Sequence, residues 1–259
     1  MSDLDQHFRK DEAPFIATVL EQIETATTEY RPVLTDFLDP RQAYIAETLI
    51  ARSDSVKLHL FGGIAQAERR RALIAPDYFE PAPEDYALAA MEIKYPQKFA
   101  ELHHSQVLGT LANSGIARAQ FGDILTAAGH WQIVTTASMS EWVATNITRI
   151  GKIAVRLIPI DLGDLVTPVT DWEAASLTMS GLRLDSLVGH AFNLSRARAK
   201  HLVDTDKVRL NFAETTAPDA AISVADIVSV RGFGRVRVRA LLGVTKKGKQ
   251  KLDVEIIHK

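Results

Sequence analysis

Leu182-Arg-Leu-Asp-Ser-Leu187, Asn193-Leu-Ser-Arg-Ala-Arg-Ala-Lys200 and Lys207-Val-Arg-Leu-Asn211 follow one another closely in the chain, and together they decide the reading of its C-terminal part. Leu184, Leu187, Val188 and Ala191 recur at helical spacing. Ala199, Leu202 and Val203 line a second helix, which Ser195 is placed to cap. Val208 and Leu210 then alternate with Lys207 and Arg209, the period of a strand with one apolar face. Farther on, Asp226 opens Ile-Val-Ser-Val230, and Val236 and Val238 alternate with Arg235, Arg237 and Arg239. Lys246-Lys-Gly-Lys249 turns the chain back onto Leu252, Val254 and Ile256. Residues 181–259 therefore read as two helices packed on a small, strongly basic sheet.

The polar positions of this unit suit a polyanion. Arg196, Arg198 and Lys200 leave the N-terminal part of one helix, where free N–H groups also favour phosphate. Arg183 stands at the start of the neighbouring helix, Asp185 reads as a contact and a helix cap, and Lys207 and Arg209 leave the following strand on its polar side. Guanidinium groups pair bidentately with phosphate, and A-form RNA is read mainly through backbone and shape. Arg231-Gly-Phe-Gly-Arg235 adds arginines on both sides of Phe233, a ring that either stacks on a base or sits in the core beneath a tight turn. Arg237 extends the basic strand.

Charge is divided along the chain in the same sense. The whole chain has 30 Lys and Arg against 32 Asp and Glu; residues 181–259 hold 15 and 8 of them, which leaves 15 and 24 for residues 1–180. A basic C-terminal module on an acidic body is what a dedicated polyanion-binding module looks like.

Upstream, Pro76, Pro81 and Pro83 mark one boundary and the stretch from Asp161 to Gly181 a second. They suggest units at 1–79, 80–165 and 181–259. The first reads as mostly helical: Ile16, Val19, Leu20 and Ile23 form one stripe, Asp39-Pro40 starts a second helix, and residues 56–61 form a short strand. In the second, residues 88–93 alternate as a strand and Val107, Leu108 and Leu111 mark a helix. Ala128-Gly-His130 turns a hairpin, Ser138-Met-Ser-Glu141 has the pattern of a capping box, and residues 153–160 close the unit as a strand. The order βαββαβ is the split ferredoxin-like arrangement, shared by several RNA-recognition modules and by many enzymes and assembly domains. The fold class is α+β in three small units.

The C-terminal pattern resembles the RNA-binding domain named after small-subunit ribosomal protein S-four: an Arg-Leu-Asp opening, a Ser-Arg-x-x-Ala-Lys helix and a Val-x-Val-Asn strand, here Arg183 to Asp185, Ser195 to Lys200 and Val208 to Asn211. Ala225 stands where that domain's Gly-Asp-x-Ile strand has glycine, and Asp206 and Phe212 stand where glycine is common; these departures bear on turns more than on contacts. With His7-Phe-Arg-Lys10, Leu34-Thr-Asp-Phe-Leu-Asp-Pro-Arg-Gln42, Phe61-Gly-Gly63, Ala67-Glu-Arg-Arg-Arg-Ala-Leu-Ile74 and Val230-Arg-Gly-Phe-Gly-Arg235, the whole chain resembles the bacterial YlmH family. That resemblance implies a ribosome-associated protein that binds the large subunit, rRNA and tRNA in rescue of obstructed nascent chains, with an older association with cell division. It also implies that Arg183, Asp185, Ser195, Arg196, Arg198, Lys200, Lys207, Arg209 and Asn211 serve RNA.

Other classes find little support. The chain has no cysteine, which excludes disulfides and thiolate metal sites. No apolar run reaches the length of a membrane span, and the charged start Met1-Ser-Asp-Leu-Asp-Gln-His-Phe-Arg-Lys10 lacks a signal-peptide core, so a cytoplasmic protein without a membrane partner is expected. There is no phosphate loop, His-Glu-x-x-His or nucleophile elbow, and His103-His104 point to different sides of a helix. No catalytic residue, metal, cofactor or DNA partner is expected. Arg69-Arg-Arg71 reads as a solvated face of a short helix rather than a second RNA contact. An RNA-modifying enzyme that docks through the basic module, and a cell-division factor, are the competing readings.

Overall fold

The computed structural model describes residues 8–168 and 171–259; the expectations placed on Met1 to His7 lie outside them. Within the chain two compact units divide between Val169 and Thr170.

The first unit opens with α1 (Ala13–Glu29), β1 (Val33–Leu38), α2 (Pro40–Ile50), β2 (Val56–Phe61) and β3 (Arg70–Pro76). Asp39 caps α2 as expected, its carboxylate accepting the Gln42 N–H at 2.9 Å while Gln42 returns to the Asp39 N–H. The three strands pair antiparallel in the order β1-β3-β2, so this part holds two strands that the sequence did not reveal. The region read as a solvated helix around Arg69-Arg-Arg71 is the start of β3, with Arg69 and Arg71 both buried. Helices α1 and α2 cover one face through Val19, Ile45, Ala46 and Leu49, and Leu73 and Ala75 pack on the other side against Tyr86.

The unit continues with β4 (Leu88–Lys94), α3 (His104–Ala112), β5 (Phe121–Ala127), β6 (His130–Thr136), α4 (Ser140–Asn146), the hairpin β7 (Arg149–Ile150) and β8 (Ile153–Ala154), and β9 (Arg156–Ile160). The antiparallel order β5-β6-β4-β9 is ferredoxin-like, as the pattern predicts. The expected capping box does not form. A 3-10 turn over Ala137–Met139 leads into α4, and the Ser138 hydroxyl lies beside that of Thr136 at 3.2 Å. Met139, Trp142, Val143, Ile147 and Ile150 recur at helical spacing, but α4 ends at Asn146 and Ile150 belongs to a strand.

Both faces of this sheet are covered. Met91, Ile93, Trp131 and Ile133 face α3 and α4, where Val107, Leu111, Val143 and Ile147 complete the core. Ala90, Leu125 and Val134 face the other way, onto Phe37 of β1 and Leu165. The Gln132 amide ties down that second cover: it donates to the Asp164 carbonyl and accepts from the Val166 N–H at 2.7 Å.

The second unit holds β10 (Glu173–Met179), α5 (Leu184–Ala191), α6 (Arg196–Asp204), β11 (Val208–Leu210), β12 (Ala213–Glu214), β13 (Ile227–Val230), β14 (Gly234–Val244) and β15 (Gln250–His258). Its sheet runs β10-β15-β14-β13-β11-β12, antiparallel throughout. Strand β10 lies upstream of Gly181, in the stretch read as a boundary, and pairs along β15 from Glu173 to Met179. Helices α5 and α6 cover one face: Leu184, Leu187, Val188, Ala199 and Val203 pack on Val208, Val228, Val236, Val238 and Leu252. Ala225, Asp206 and Phe212, the non-glycine residues at glycine-favoured turns, all keep the left-handed backbone, with φ of 66°, 55° and 68°.

Candidate RNA interface

The first turns of α5 and α6 meet. Arg183 is the residue before α5, in extended backbone, and Asp185 sits in that helix's first turn. Ser195 caps α6 by accepting the Arg198 N–H at 3.3 Å, which puts Arg196 first in that helix. The Asp185 carboxylate is only 2% exposed, yet it takes two parallel hydrogen bonds from Arg183, at 3.0 and 3.1 Å, and lies 3.7 Å from the Arg196 guanidinium. Burial by itself pushes this carboxyl up. The Arg183 hydrogen bonds and charge, the Ser186 N–H and the Arg196 charge more than offset that and hold it below the usual carboxylate range.

Asp185 is thus a buried anion that holds two guanidiniums in place while both remain accessible; the Arg183 side chain is 42% exposed and that of Arg196 79%. Beside them opens a cavity of about 370 Å³ lined by Ser180, His190, Asn193 and the two arginines. A fixed pair of guanidinium forks beside two helix N-termini can take one phosphate, or two successive ones, with little ordering cost. His190, which no sequence motif marks, also lines the cavity, with its ring nitrogen 2.7 Å from the Ser186 carbonyl.

The remaining expected residues differ in burial and in the face they occupy. Arg198, Lys200, Lys207 and Arg231 are exposed, and the Arg231 N–H donates to the Lys207 carbonyl at 2.8 Å. Phe233 is half-buried against the core, 6.1 Å from the Phe192 ring centroid, with the Arg198 guanidinium 5.4 Å above its own. It is a core residue with one face under an arginine, not a free platform. The close approach that glycine permits here is made by the chain itself: a Cβ on Gly234 would stand 1.8 Å from the Ile257 carbonyl oxygen.

Asn211 is committed inside the unit. Its amide donates to Asp226 at 2.8 Å and accepts the Ile227 N–H at 2.9 Å, so it fixes the start of β13. Arg209, Arg235 and Arg237 occupy the sheet face opposite the helices, because they alternate with the buried Val208, Val236 and Val238. Arg235 lies between the Trp172 and Phe212 rings, and Arg237 stacks on Trp172 at 4.4 Å and bonds Glu255. Arg209 pairs with Glu214 at 2.8 Å. These three do not join Arg183 and Arg196 on one surface.

Arg69 and Arg71 of the first unit do structural work. Arg69 donates to the carbonyls of Phe121 and Phe37, each at 2.9 Å, and Arg71 to those of Thr35 and Tyr86 at 2.7 and 2.9 Å. The Asp123 carboxylate accepts the N–H groups of Glu68 and Arg69, and burial together with the Glu68 charge pushes it up to about 6. Among the described residues no helix is long and apolar enough to cross a membrane.

Residues 11–79 match the family domain described as "YlmH, N-terminal", and residues 81–164 the one described as "Putative RNA-binding domain in YlmH". The chain is similar to "Ribosome-associated protein quality control protein P2" of Bacillus subtilis (strain 168), with 38% identity over 98% of this chain and 99% of the relative. Among solved structures it is similar to "Cell division protein ylmH from Streptococcus pneumoniae", 31% identical, with a TM-score of 0.54 over 62% of this chain and 98% of that one.

Proposed function

The chain belongs to the YlmH family, and from that premise we propose that it is a non-catalytic RNA-binding factor of the ribosome, acting in the rescue of obstructed translation. The second unit makes the main contact, with structured rRNA and tRNA on the large subunit, in the cytoplasm. The single observation that carries this reading is the pair of guanidiniums set on the buried Asp185 at the first turns of α5 and α6. The likeness of this unit to the ribosomal protein S-four domain supports it, as does the name of the Bacillus relative, which speaks of ribosome association and quality control. The perturbed carboxylate Asp123 is engaged by two backbone N–H groups rather than facing an open cleft, which weighs against a concealed RNA-modifying site. The test is crosslinking of the protein to RNA in cells, followed by sequencing. Reads in large-subunit rRNA and tRNA enriched over their share of total RNA are expected; a distribution that matches total RNA contradicts the proposal.

A further inference from the structure

A sheet of ferredoxin-like topology meets RNA by stacking bases on an open face. Here that face is closed by Phe37 and Leu165, so any contact of the first unit with RNA must be made elsewhere. On the helix side, α3, α4 and the hairpin β7–β8 enclose an open groove of about 600 Å³, within the size range of small-ligand sites. Trp142 lines it with its side chain 39% exposed. Gln106 of α3, Asn113 just after that helix and Asn146 of α4 add amides. The Gln106 oxygen accepts the His103 N–H and the Asn146 nitrogen donates to the Trp142 carbonyl, which leaves the Gln106 N–H groups and the Asn146 oxygen for a ligand. Arg149 adds a guanidinium that the Lys152 carbonyl holds on the hairpin at 2.8 Å. No lining side chain is a carboxylate.

Gly109 is the second observation. It lies in the interior of α3, where glycine is disfavoured, and a Cβ added there would meet nothing within 4 Å. Among the described residues no packing requires a glycine at this position. Its effect is to leave room and bare backbone at the groove.

We propose that this groove binds an unpaired nucleotide of RNA, with the base on Trp142, its edge against the amides and a phosphate on Arg149. An indole stacks on any base, amides match base edges, and the guanidinium supplies the charge. A stacked A-form duplex offers no base face to such a concavity. A protein partner fits less well, because the lining is mostly hydroxyl and amide rather than the apolar centre of a protein interface. The proposal rests on the RNA-binding reading above and gives the first unit a contact of its own.

The test uses the full chain with two probes, a short unstructured oligoribonucleotide and a fully paired RNA duplex. The variants are Trp142→Ala, Arg149→Glu, Gly109→Leu and, in the other unit, Arg183→Ala, each checked by thermal melting. Gly109→Leu fills the groove while favouring the helix, so loss of binding there cannot be assigned to unfolding. The three groove variants should each lose about tenfold in affinity for the oligoribonucleotide, the range for one stacked base or phosphate contact, and keep duplex binding. Arg183→Ala should weaken the duplex and spare the oligoribonucleotide. Unchanged oligoribonucleotide binding in all three groove variants overturns the proposal and leaves the C-terminal reading standing. Groove variants that retain both RNAs yet no longer sediment with ribosomes would assign the groove to a protein partner, which also overturns it. A wild-type chain that binds neither RNA overturns both readings.

Discussion

Asp185 shows why a buried carboxylate can serve a basic surface. Alone it would be costly to ionise, but Arg183 and Arg196 share it, and in return their guanidiniums are held in one orientation. Arg183→Ala should lower affinity for structured RNA by about tenfold to a hundredfold, the loss expected for charge-assisted hydrogen bonds to phosphate. It should also lower the melting temperature of the second unit, because Asp185 loses its main partner. Arg183→Lys should restore only part of both effects, since an ammonium cannot form the planar two-point contact. Full restoration of binding by lysine would show that charge alone matters. Asp123 behaves in the opposite way. Its folded value, about 6, lies above that of the unfolded chain, so the folded unit holds the proton more tightly. Its contribution to stability is therefore present below about pH 4 and declines as pH rises to about 6. In Asp123→Asn the melting temperature of the first unit should change less across that window than in wild type; equal slopes would remove Asp123 as the cause. Arg183, Asp185, Ser195 and Arg196 were legible because helix starts are local in sequence. Arg235 and Arg237 do not belong with them: their alternation with Val236 and Val238 puts them on the face the helices do not cover.

Elements were legible where alternation, a turn or a cap marks them locally, as the Ala128–Gly129 turn marks β6 although every residue from Trp131 to Thr136 is buried. Strands β2, β4 and β6, the two-residue Ala128–Gly129 turn and the helices α5 and α6 follow from alternation, turn chemistry and caps. Strand β3 does not, because from Arg71 to Pro76 every residue is buried and a continuous buried run carries no period. Arg69, just before the strand, and Arg71 within it find acceptors at Phe37, Phe121 and Tyr86, distant in sequence, so nothing local marks them as interior. Arg69→Ala should destabilise the first unit by about 3–5 kcal/mol, the cost of breaking a buried charged network, with RNA affinity of the surviving folded protein unchanged. Weaker RNA binding with a normal melt would return this arginine to the interface. The capping pattern at Ser138 misled for another reason: a 3-10 turn intervenes before α4, and the serine hydroxyl turns toward Thr136. In the second unit, Ala225 holds φ of 66°, a conformation that costs an L-residue about 1–2 kcal/mol. Ala225→Gly should therefore raise the melting temperature of that unit, and a lowered one would mean that the alanine side chain packs more favourably than its backbone is strained.

On the scale of the whole molecule the division of charge is the organising fact. Residues 181–259 carry 15 Lys and Arg against 8 Asp and Glu, and residues 1–180 carry 15 against 24. Much of the basic side chain in the first part is spent internally, as Arg69, Arg71 and Arg41 are; the last is buried on Glu12 at 2.8 Å. Much of that in the second unit stays exposed, at Arg196, Arg198, Lys200, Lys207 and Arg231 among others. Binding through such a surface releases counterions from RNA, so affinity should fall steeply and linearly on a logarithmic salt axis. The most direct test is that slope, measured for a structured RNA with the full wild-type chain and with Arg183→Ala/Arg196→Ala. The account predicts a steep slope for wild type; for the double variant, which melts lower because Asp185 loses both guanidiniums but is still folded at the assay temperature, it predicts weaker binding with a slope shallower by about one to two. Equal affinity and equal slope for the two proteins, with both folded, would contradict it.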